Sequence, residues 1–231
     1  MENSELITIQ NLVKHYPMGK NRFTALKDIN LTFKKGEFSG VVGPSGSGKT
    51  TLLNIIGSLD SPSEGHIRIL GKEIGSLSNK SAAHLRNHYI GFIFQTYNLM
   101  PVYNVFENVE FPLLLLKTSA KERRQAVLEA LEWVGLSDKV KSRPKQLSGG
   151  ESQRVSIARA MVKKPPVVLA DEPTANLDAE NSHHILQTME KLNREFKTTF
   201  IFATHDDKVI QYLKRKISLV DGKVQSDERL N

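Results

Sequence analysis

The run from Gly43 to Thr50, GPSGSGKT, is the feature that most constrains the fold. It fits the pattern G-x-x-x-x-G-K-[ST] of a phosphate-binding loop, in which backbone N–H groups turn inward around the phosphates. Residues 37–42 before it predict a strand, and residues 51–56 after it predict a helix. This order places the positive end of a helix where phosphates would lie. The sequence therefore predicts an α/β fold that binds a nucleoside triphosphate.

Within this loop we expect two side chains to have separate tasks. Lys49 can reach the β- and γ-phosphates, and the Thr50 hydroxyl can ligate Mg²⁺. The other predicted phosphate contacts are Gly43, Pro44, Ser45, Gly46, Ser47, Gly48 and Thr51. The alternative is a Gly/Ser-rich turn that happens to contain a lysine, which the flanking strand and helix disfavour.

The composition is that of a globular protein without a membrane span. The chain has 231 residues, 39% of them hydrophobic, enough for one large α/β domain or two small ones. No run approaches the roughly 18 apolar residues that a spanning helix needs. The polar N-terminus has no signal-peptide pattern, and without cysteine there is no disulfide, thiol nucleophile or zinc–thiolate site. We expect a cytoplasmic protein.

The net charge is +7, but the basic residues are scattered and form no block of five or six. Such charge can attract nucleic acid, anionic lipid or phosphorylated ligands. Solvated surface charge on a nucleotide enzyme is the favoured reading here, and we expect no direct nucleic-acid partner.

Hydrophobic periodicity predicts strands first, helices in the middle, and alternating strands and helices in the last third. Ser119 and Glu122 form a capping-box start for a helix that ends at Gly135, and Asp221-Gly222 predicts a hairpin between 217–220 and Val224. Strands are predicted at 6–13, 29–33, 67–69, 89–94, 167–170 and 199–203, and further helices at 150–162 and 185–192. The pattern predicts a P-loop core with a helical insertion between about Asn98 and Arg154.

Two carboxylates follow the apolar strand predicted at 167–170. A strand buried on both faces delivers its last residues to the crevice at the carboxyl edge of the sheet, where phosphates sit. Asp171 can hold Mg²⁺ there, directly or through water, and Glu172 can polarise an attacking water as general base. The alternative is a pair of acids that solubilise the end of a strand.

A second glycine-rich segment, Ser148-Gly149-Gly150-Glu151, precedes a predicted helix. Ser148 and Glu151 have the spacing of a capping box, so helix capping alone is a real alternative. Two glycines at a helix start are costly, however, and they expose backbone N–H groups at a positive helix end. We interpret the segment as a second anion site that completes the phosphate site of another molecule.

With these motifs in order, nearly the whole chain resembles the ATP-binding subunit of an ABC transporter, and residues 147–151 resemble its signature motif. The resemblance implies one RecA-like ABC ATPase domain over 1–231, with an N-terminal antiparallel β subdomain and an inserted helical subdomain. It also implies a head-to-tail homodimer, in which each ATP lies between one P-loop and the partner's Ser148, Gly149 and Gly150. Glu151 departs from the usual glutamine, and folding back onto the cap would keep its charge from the γ-phosphate.

The resemblance assigns four further residues. Gln95 matches the Q-loop glutamine that contacts Mg²⁺ and water and senses the membrane subunit, and His205 matches the switch histidine that contacts the γ-phosphate. Asp178 lies in the match to the D-loop, which crosses the dimer, and Tyr16 matches the aromatic residue that stacks on adenine. Taken singly, Gln95, His205 and Tyr16 would each pass as a surface or structural residue.

Several segments resemble the lipoprotein-releasing and macrolide-exporting branch of the family, among them 51–60, 91–99, 107–109 and 169–174. This implies a separate membrane permease and a peripheral position on the inner face of the cell membrane. The alternatives are the partner of a cell-division permease that controls wall hydrolases, and a soluble ABC ATPase acting on nucleic acid. The single motif set and short insertion disfavour the second. The insertion at about 98–144 is expected to face the permease, while its apolar stretch 111–116 is equally explained as subdomain core.

Overall fold

The structure, a computed structural model, describes residues 5–19 and 21–230. The strands are β1 (Glu5–Met18), β2 (Asn21–Lys34), β3 (Phe38–Val42), β4 (Glu64–Ile69), β5 (Lys72–Glu73), β6 (Ile90–Ile93), β7 (Val167–Asp171), β8 (Thr199–Thr204), β9 (Arg215–Val220) and β10 (Lys223–Arg229). The helices are α1 (Lys49–Ile56), α2 (Asn79–Tyr89), α3 (Val105–Leu115), α4 (Ala120–Trp133), α5 (Gly149–Met161), α6 (Ala179–Phe196) and α7 (Asp207–Ile210).

The larger sheet has the strand order β10-β9-β3-β8-β7-β6, and its strands are parallel except for β10. Strand β8 is buried at every residue and β7 at all but its last, as expected of strands covered on both faces. The smaller sheet, β2-β1-β4-β5, is antiparallel. This confirms the predicted α/β class with its N-terminal antiparallel part.

Two apolar clusters hold these layers together. One lies between the two sheets and around α1, and includes Phe33, Leu52 and Ile201. The other joins the opposite face of the larger sheet to helices α3, α4, α5 and α6, and includes Phe200 and Val155. Helix α1 is thereby packed on the larger sheet with its N-terminus at the end of β3, which fixes the loop between them.

The helices α3, α4 and α5 lie between β6 and β7 in the chain, where the helical insertion is predicted. Ser119 caps the start of helix α4 with the expected capping box, and Gly135, at φ +67°, follows the end of the helix. Helix α2 is not among the predicted elements. Because only Ala82 and Leu85 are buried along it, its apolar stripe is too narrow to stand out. Strand β6 is accordingly shorter than the predicted strand 89–94. In the described part of the chain, no helix is long and apolar enough to cross a membrane.

The turn between β9 and β10 joins three parts of the molecule. Asp221 and Gly222 have φ of +49° and +75°, and Val224 pairs with Leu219, so the predicted hairpin is confirmed. The Gly222 carbonyl accepts a hydrogen bond from Lys27 N of β2 at 2.8 Å, and its N–H donates to the Ser47 carbonyl at 3.0 Å. The backbone N–H and carbonyl of Gly222, in a turn of the larger sheet, therefore connect that sheet to the P-loop and to the smaller sheet.

We expect Gly222→Ala to destabilise the protein more than Gly71→Ala. Both glycines have φ near +75°, at which an alanine costs about 1–2 kcal/mol. A Cβ at Gly71 meets nothing within 4 Å, whereas one at Gly222 would lie 2.5 Å from the Ala25 carbonyl oxygen. The clash should add about 1–3 kcal/mol to the loss in free energy of unfolding, measured by urea denaturation. Equal losses in the two variants would contradict this account of the turn.

Candidate nucleotide-binding site

The P-loop occupies the turn from β3 into α1, as predicted. Gly46 and Gly48 have φ of +80° and +105°, which side-chain-bearing residues rarely adopt. At Gly43 a Cβ would collide with the carbonyl oxygen of Leu219 on β9. Two glycines are thus needed for backbone conformation and one for close packing, and the loop wraps around the N-terminus of α1.

Lys49 and Thr50 begin α1 and lie inside this loop. Lys49 is 7% exposed, and its ammonium group donates to the carbonyl oxygens of Gly43 at 2.8 Å and Pro44 at 3.0 Å. The Thr50 hydroxyl donates to the two carboxylate oxygens of Asp171 at 3.2 and 3.1 Å. The loop and the end of β7 therefore meet, as the sequence predicts.

The two predicted acids occupy different environments at the end of β7. Burial is the largest effect on Asp171 and raises the pKa of its carboxyl group, and the hydrogen bond from Thr50 opposes this only in part. Glu172 has φ +45°, an uncommon conformation for a residue other than glycine. Its carboxylate accepts a hydrogen bond from Thr204 Oγ1 at 3.0 Å, and its other oxygen lies 2.6 Å from His205 Nδ1. The proposed general base and switch histidine are thus in direct contact.

An open pocket of about 260 Å³ adjoins the P-loop. It is lined by Tyr16, Phe23, Ala25, Gly46, Gly48, Lys49, Thr50 and Thr51. Tyr16 and Phe23 are directly paired across β1 and β2, so their rings stand on the same face of the smaller sheet. Phe23, 51% exposed, also lines this pocket and is not among the residues predicted from the sequence. Its place in the pocket depends on the pairing of β1 with β2, which the sequence alone does not reveal.

The second glycine-rich segment starts helix α5. Ser148 Oγ accepts from Glu151 N at 3.2 Å, and Ser148 N donates to Glu151 Oε2 at 2.8 Å, which confirms the capping box. The backbone hydrogen bond from Ser148 is the main cause that lowers the pKa of Glu151, and Lys139, 3.1 Å away, adds to it. Glu151 folds back onto its own helix as expected.

The glycine at position 150 also has a packing role, which is not apparent from the sequence. A Cβ there would collide with the side-chain amide of Asn181 on α6. Asn181 is held in turn by Asp178, whose carboxylate accepts from its backbone N at 2.8 Å and its Nδ2 at 2.7 Å. A side chain at position 150 would therefore displace the Asn181 side chain from Asp178 or separate α5 from the start of α6, whether or not an anion binds.

Gln95 and Asp178 lie on neighbouring loops near this helix end. Gln95 is exposed after β6, and its carbonyl oxygen accepts from Asn176 Nδ2 at 2.9 Å. Within residues 5–19 and 21–230, no hydrogen bond joins 148–150 to 43–51. The structure brings together the P-loop, Asp171, Glu172 and His205, and it brings together the loops of Gln95 and Asp178 with α5.

Comparison with known proteins identifies the family to which this chain belongs. The model described as "ABC transporter" matches residues 26–175. The chain belongs to the ABC transporter family. It is an ATP-binding cassette, and ATP hydrolysis is the activity of this class. The loop, carboxylates and glycine-rich helix start described above therefore lie in an ABC ATPase.

Similar proteins match this cassette over nearly its full length. The ABC transporter ATP-binding protein YvrO of Bacillus subtilis is 46% identical, with 97% of each chain covered. The lipoprotein-releasing system ATP-binding protein LolD of Geobacter metallireducens is 42% identical, over 97% of this chain and 100% of LolD. The macrolide export ATP-binding/permease protein MacB of Bdellovibrio bacteriovorus is 42% identical, over 97% of this chain but 34% of MacB.

The fold also matches a solved cassette. The dimeric, post-hydrolysis structure of MJ0796 from Methanocaldococcus jannaschii, bound to ADP and Pi, superposes with a TM-score of 0.90. The identity is 43%, over 97% of this chain and 99% of MJ0796.

The capping role of Glu151 in this ABC ATPase predicts a pH-dependent effect of Glu151→Gln. Because the folded-state pKa of Glu151 lies below its ordinary value of 4.5, the stability it contributes is present above pH 4.5. That contribution is lost as pH falls through the lowered pKa. The wild type should exceed the variant in free energy of unfolding by about 0.5 kcal/mol at neutral pH, and this gap should close in acid.

Urea denaturation between about pH 7 and pH 3.5 measures this gap. Glu132→Gln, on the exposed face of α4, is the matched control and should show little difference at any pH. A gap for Glu151→Gln that stays constant across the range would show that its charge does not stabilise the helix start.

Proposed function

We propose that two copies of this ATPase close head-to-tail around two MgATP, hydrolyse them, and drive a separate membrane permease. One observation carries the proposal: the chain holds two distinct sets of phosphate-binding features. One set is the P-loop with Asp171 and Glu172, and the other is the N-terminus of α5 at Ser148. The similarity to the dimeric MJ0796 cassette supports the pairing of these sets across two subunits.

The phosphate groups bind at the P-loop in this proposal. Its N–H groups and Lys49 contact the phosphates, and residues 43–51 supply the cradle. The Thr50 hydroxyl and the Asp171 carboxylate, 3.1 Å apart, are the oxygen donors that Mg²⁺ prefers, and Gln95 contributes from the loop after β6. Bound Mg²⁺ would neutralise charge on the β- and γ-phosphates.

Glu172 acts as general base. One of its oxygens takes a proton from the attacking water as the water oxygen bonds to the γ-phosphorus and the bond to the β–γ bridging oxygen breaks, which releases ADP and phosphate. The hydrogen bonds from Thr204 and His205 orient the carboxylate. In this proposal His205, whose side chain is 59% exposed, also contacts the γ-phosphate.

The trans contacts come from the partner subunit. The Ser148 hydroxyl and the N–H groups of Gly149 and Gly150 stand at the positive end of α5, where they would bind the γ-phosphate of the opposite ATP. Asp178 would lie at the same interface, because it binds Asn181, which packs against Gly150.

The permease is proposed to bind along the helical insertion. A groove of about 480 Å³ runs between β6 and α3, and its lining is mainly apolar. Phe111 and Pro112 line it, Leu115 is 57% exposed, and Leu113 of the same helix is buried. The apolar stretch 111–116 therefore serves both the subdomain core and an exposed surface. Similarity to LolD and MacB supports a lipoprotein-release or macrolide-export type of system, with the ATPase held at the inner face of the membrane.

Glu172→Gln should abolish hydrolysis while ATP still binds. The amide keeps the side-chain volume but cannot take a proton, so we expect kcat to fall by about 100-fold or more. ATP-bound dimers should accumulate, measured by light scattering after gel filtration. Asp207→Asn, a nearby exposed carboxylate on α7, is the control and should retain activity. Near-wild-type turnover by Glu172→Gln would remove Glu172 from the general-base role.

Mixing two inactive variants should restore activity. Lys49→Ala disables the P-loop, and Ser148→Asp places a negative charge against the opposite phosphate while keeping an oxygen that caps α5. In a mixed dimer one pocket carries both defects and the other carries none. An equal mixture should therefore recover roughly a quarter of wild-type ATPase activity, if the pockets work independently.

Each variant alone sets the background for this mixture, and the rate is followed as phosphate release. Activity that stays at the background in the mixture, together with full-speed hydrolysis by monomeric wild type, would contradict the head-to-tail dimer.

A further inference from the structure

Tyr16, at the edge of the nucleotide pocket, is held by Lys14 and Asp60, to which the motifs assign no role. Its hydroxyl donates a hydrogen bond to Asp60 Oδ2 at 2.7 Å. The ammonium group of Lys14 donates to Asp60 Oδ1 at 2.5 Å and to the Ser61 carbonyl oxygen at 2.7 Å. The same ammonium lies 4.9 Å from the centre of the Tyr16 ring, within range of a cation–π contact.

Lys14 is only 9% exposed, and lysine is seldom buried unless it is paired. Asp60 accepts from Lys14, from Tyr16 and, at 2.7 Å, from Ser61 N. Burial by itself would raise the pKa of Asp60, but the hydrogen bonds from these donors outweigh burial and lower it. The carboxylate therefore stays ionised at neutral pH and remains an acceptor for the Tyr16 hydroxyl.

The position of Asp60 depends on helix α1. After Ile56 the chain folds back along the helix, and the backbone N–H groups of Leu59 and Asp60 both donate to the Asn54 carbonyl oxygen, at 2.8 and 3.2 Å. The element that begins at the P-loop thus also carries the carboxylate that holds Tyr16.

We propose that Lys14 and Asp60 are positioning residues that fix the Tyr16 ring against the base of the bound nucleotide. Together with Tyr16 we call them the base clamp. The proposal rests on the nucleotide-binding function proposed above. A ring already held in its binding orientation loses less freedom when the nucleotide arrives, so the clamp strengthens binding of the base. It makes no contact with the phosphates.

The alternative is that the ion pair only fastens β1 to the loop after α1. The two roles differ in which part of the ligand they affect. A base clamp changes affinity for a nucleotide but leaves affinity for inorganic tripolyphosphate unchanged, because tripolyphosphate has no base. A general loosening of the fold would lower the affinity for both ligands.

The test compares Tyr16→Phe, Asp60→Ala and the double variant. Tyr16→Phe keeps the ring and removes only the hydroxyl, so it carries the test even if Asp60→Ala folds poorly. The Kd for ADP, measured by calorimetry, should rise about three- to tenfold in Tyr16→Phe, because binding must then order a ring that is no longer held in place. The Kd for tripolyphosphate should stay within about twofold, and the KM for ATP should rise with kcat unchanged.

The double variant should bind ADP no more weakly than Asp60→Ala alone, since both changes break one interaction. Asp227→Asn is the control: it breaks a 2.7 Å ion pair with Arg215 on β9 and should leave both ligands unaffected. Lys49→Ala should lower the affinity for both ADP and tripolyphosphate.

Unchanged ADP affinity in Tyr16→Phe overturns the base clamp, and so does an equal loss for ADP and tripolyphosphate. Additive effects in the double variant overturn it as well. If Lys49→Ala changes the affinity for neither ligand, the proposed nucleotide site is wrong, and the base clamp is contradicted as well. This outcome is distinct from the other three.

Discussion

The parallel register of the larger sheet is the constraint on which the site depends. Strands β3, β8, β7 and β6 lie side by side and point the same way, with Val42 opposite Thr204 and Asp171 opposite Ala203. Their carboxyl ends therefore meet at one edge, which is where ligands bind in sheets of this kind. The P-loop, Glu172 and His205 are distant in the chain, and they become neighbours only because the strands before them are paired in this register.

This constraint explains how much of the site could be predicted from the sequence. Strands β7 and β8 are continuous apolar runs, so their ends, and the polar residues that follow, could be located without the structure. Phe23 and Asp60 could not be found this way. Phe23 reaches the pocket through antiparallel pairing with Tyr16, and Asp60 through a fold-back after α1. Both contacts depend on register and loop conformation, which leave little periodic signal in a sequence.

Gly150 shows that one residue can satisfy two constraints. The two adjacent glycines suggested an anion site, and the structure adds a close approach between α5 and Asn181 on α6. Asn181 is bound to Asp178, and Asn176 of the same loop is bound to the carbonyl oxygen of Gln95. The loop after β7 is therefore hydrogen-bonded to the loop after β6 and packed against the start of α5. The absence of a side chain at Gly150 allows this close packing, and in the proposed dimer it would also leave the start of α5 open to phosphate.

Helix α1 gives the pocket its internal distances. Its N-terminus is set by Gly48 and by the bond between Ser47 and the turn at Gly222. Its last turn holds the fold-back that carries Asp60, and Asp60 holds Tyr16. An α-helix of eight residues spans about 12 Å and resists compression along its hydrogen-bonded axis. In the proposed binding mode, one rigid element therefore links the phosphate end of the pocket to its base end, and a nucleotide would have to match both ends at once.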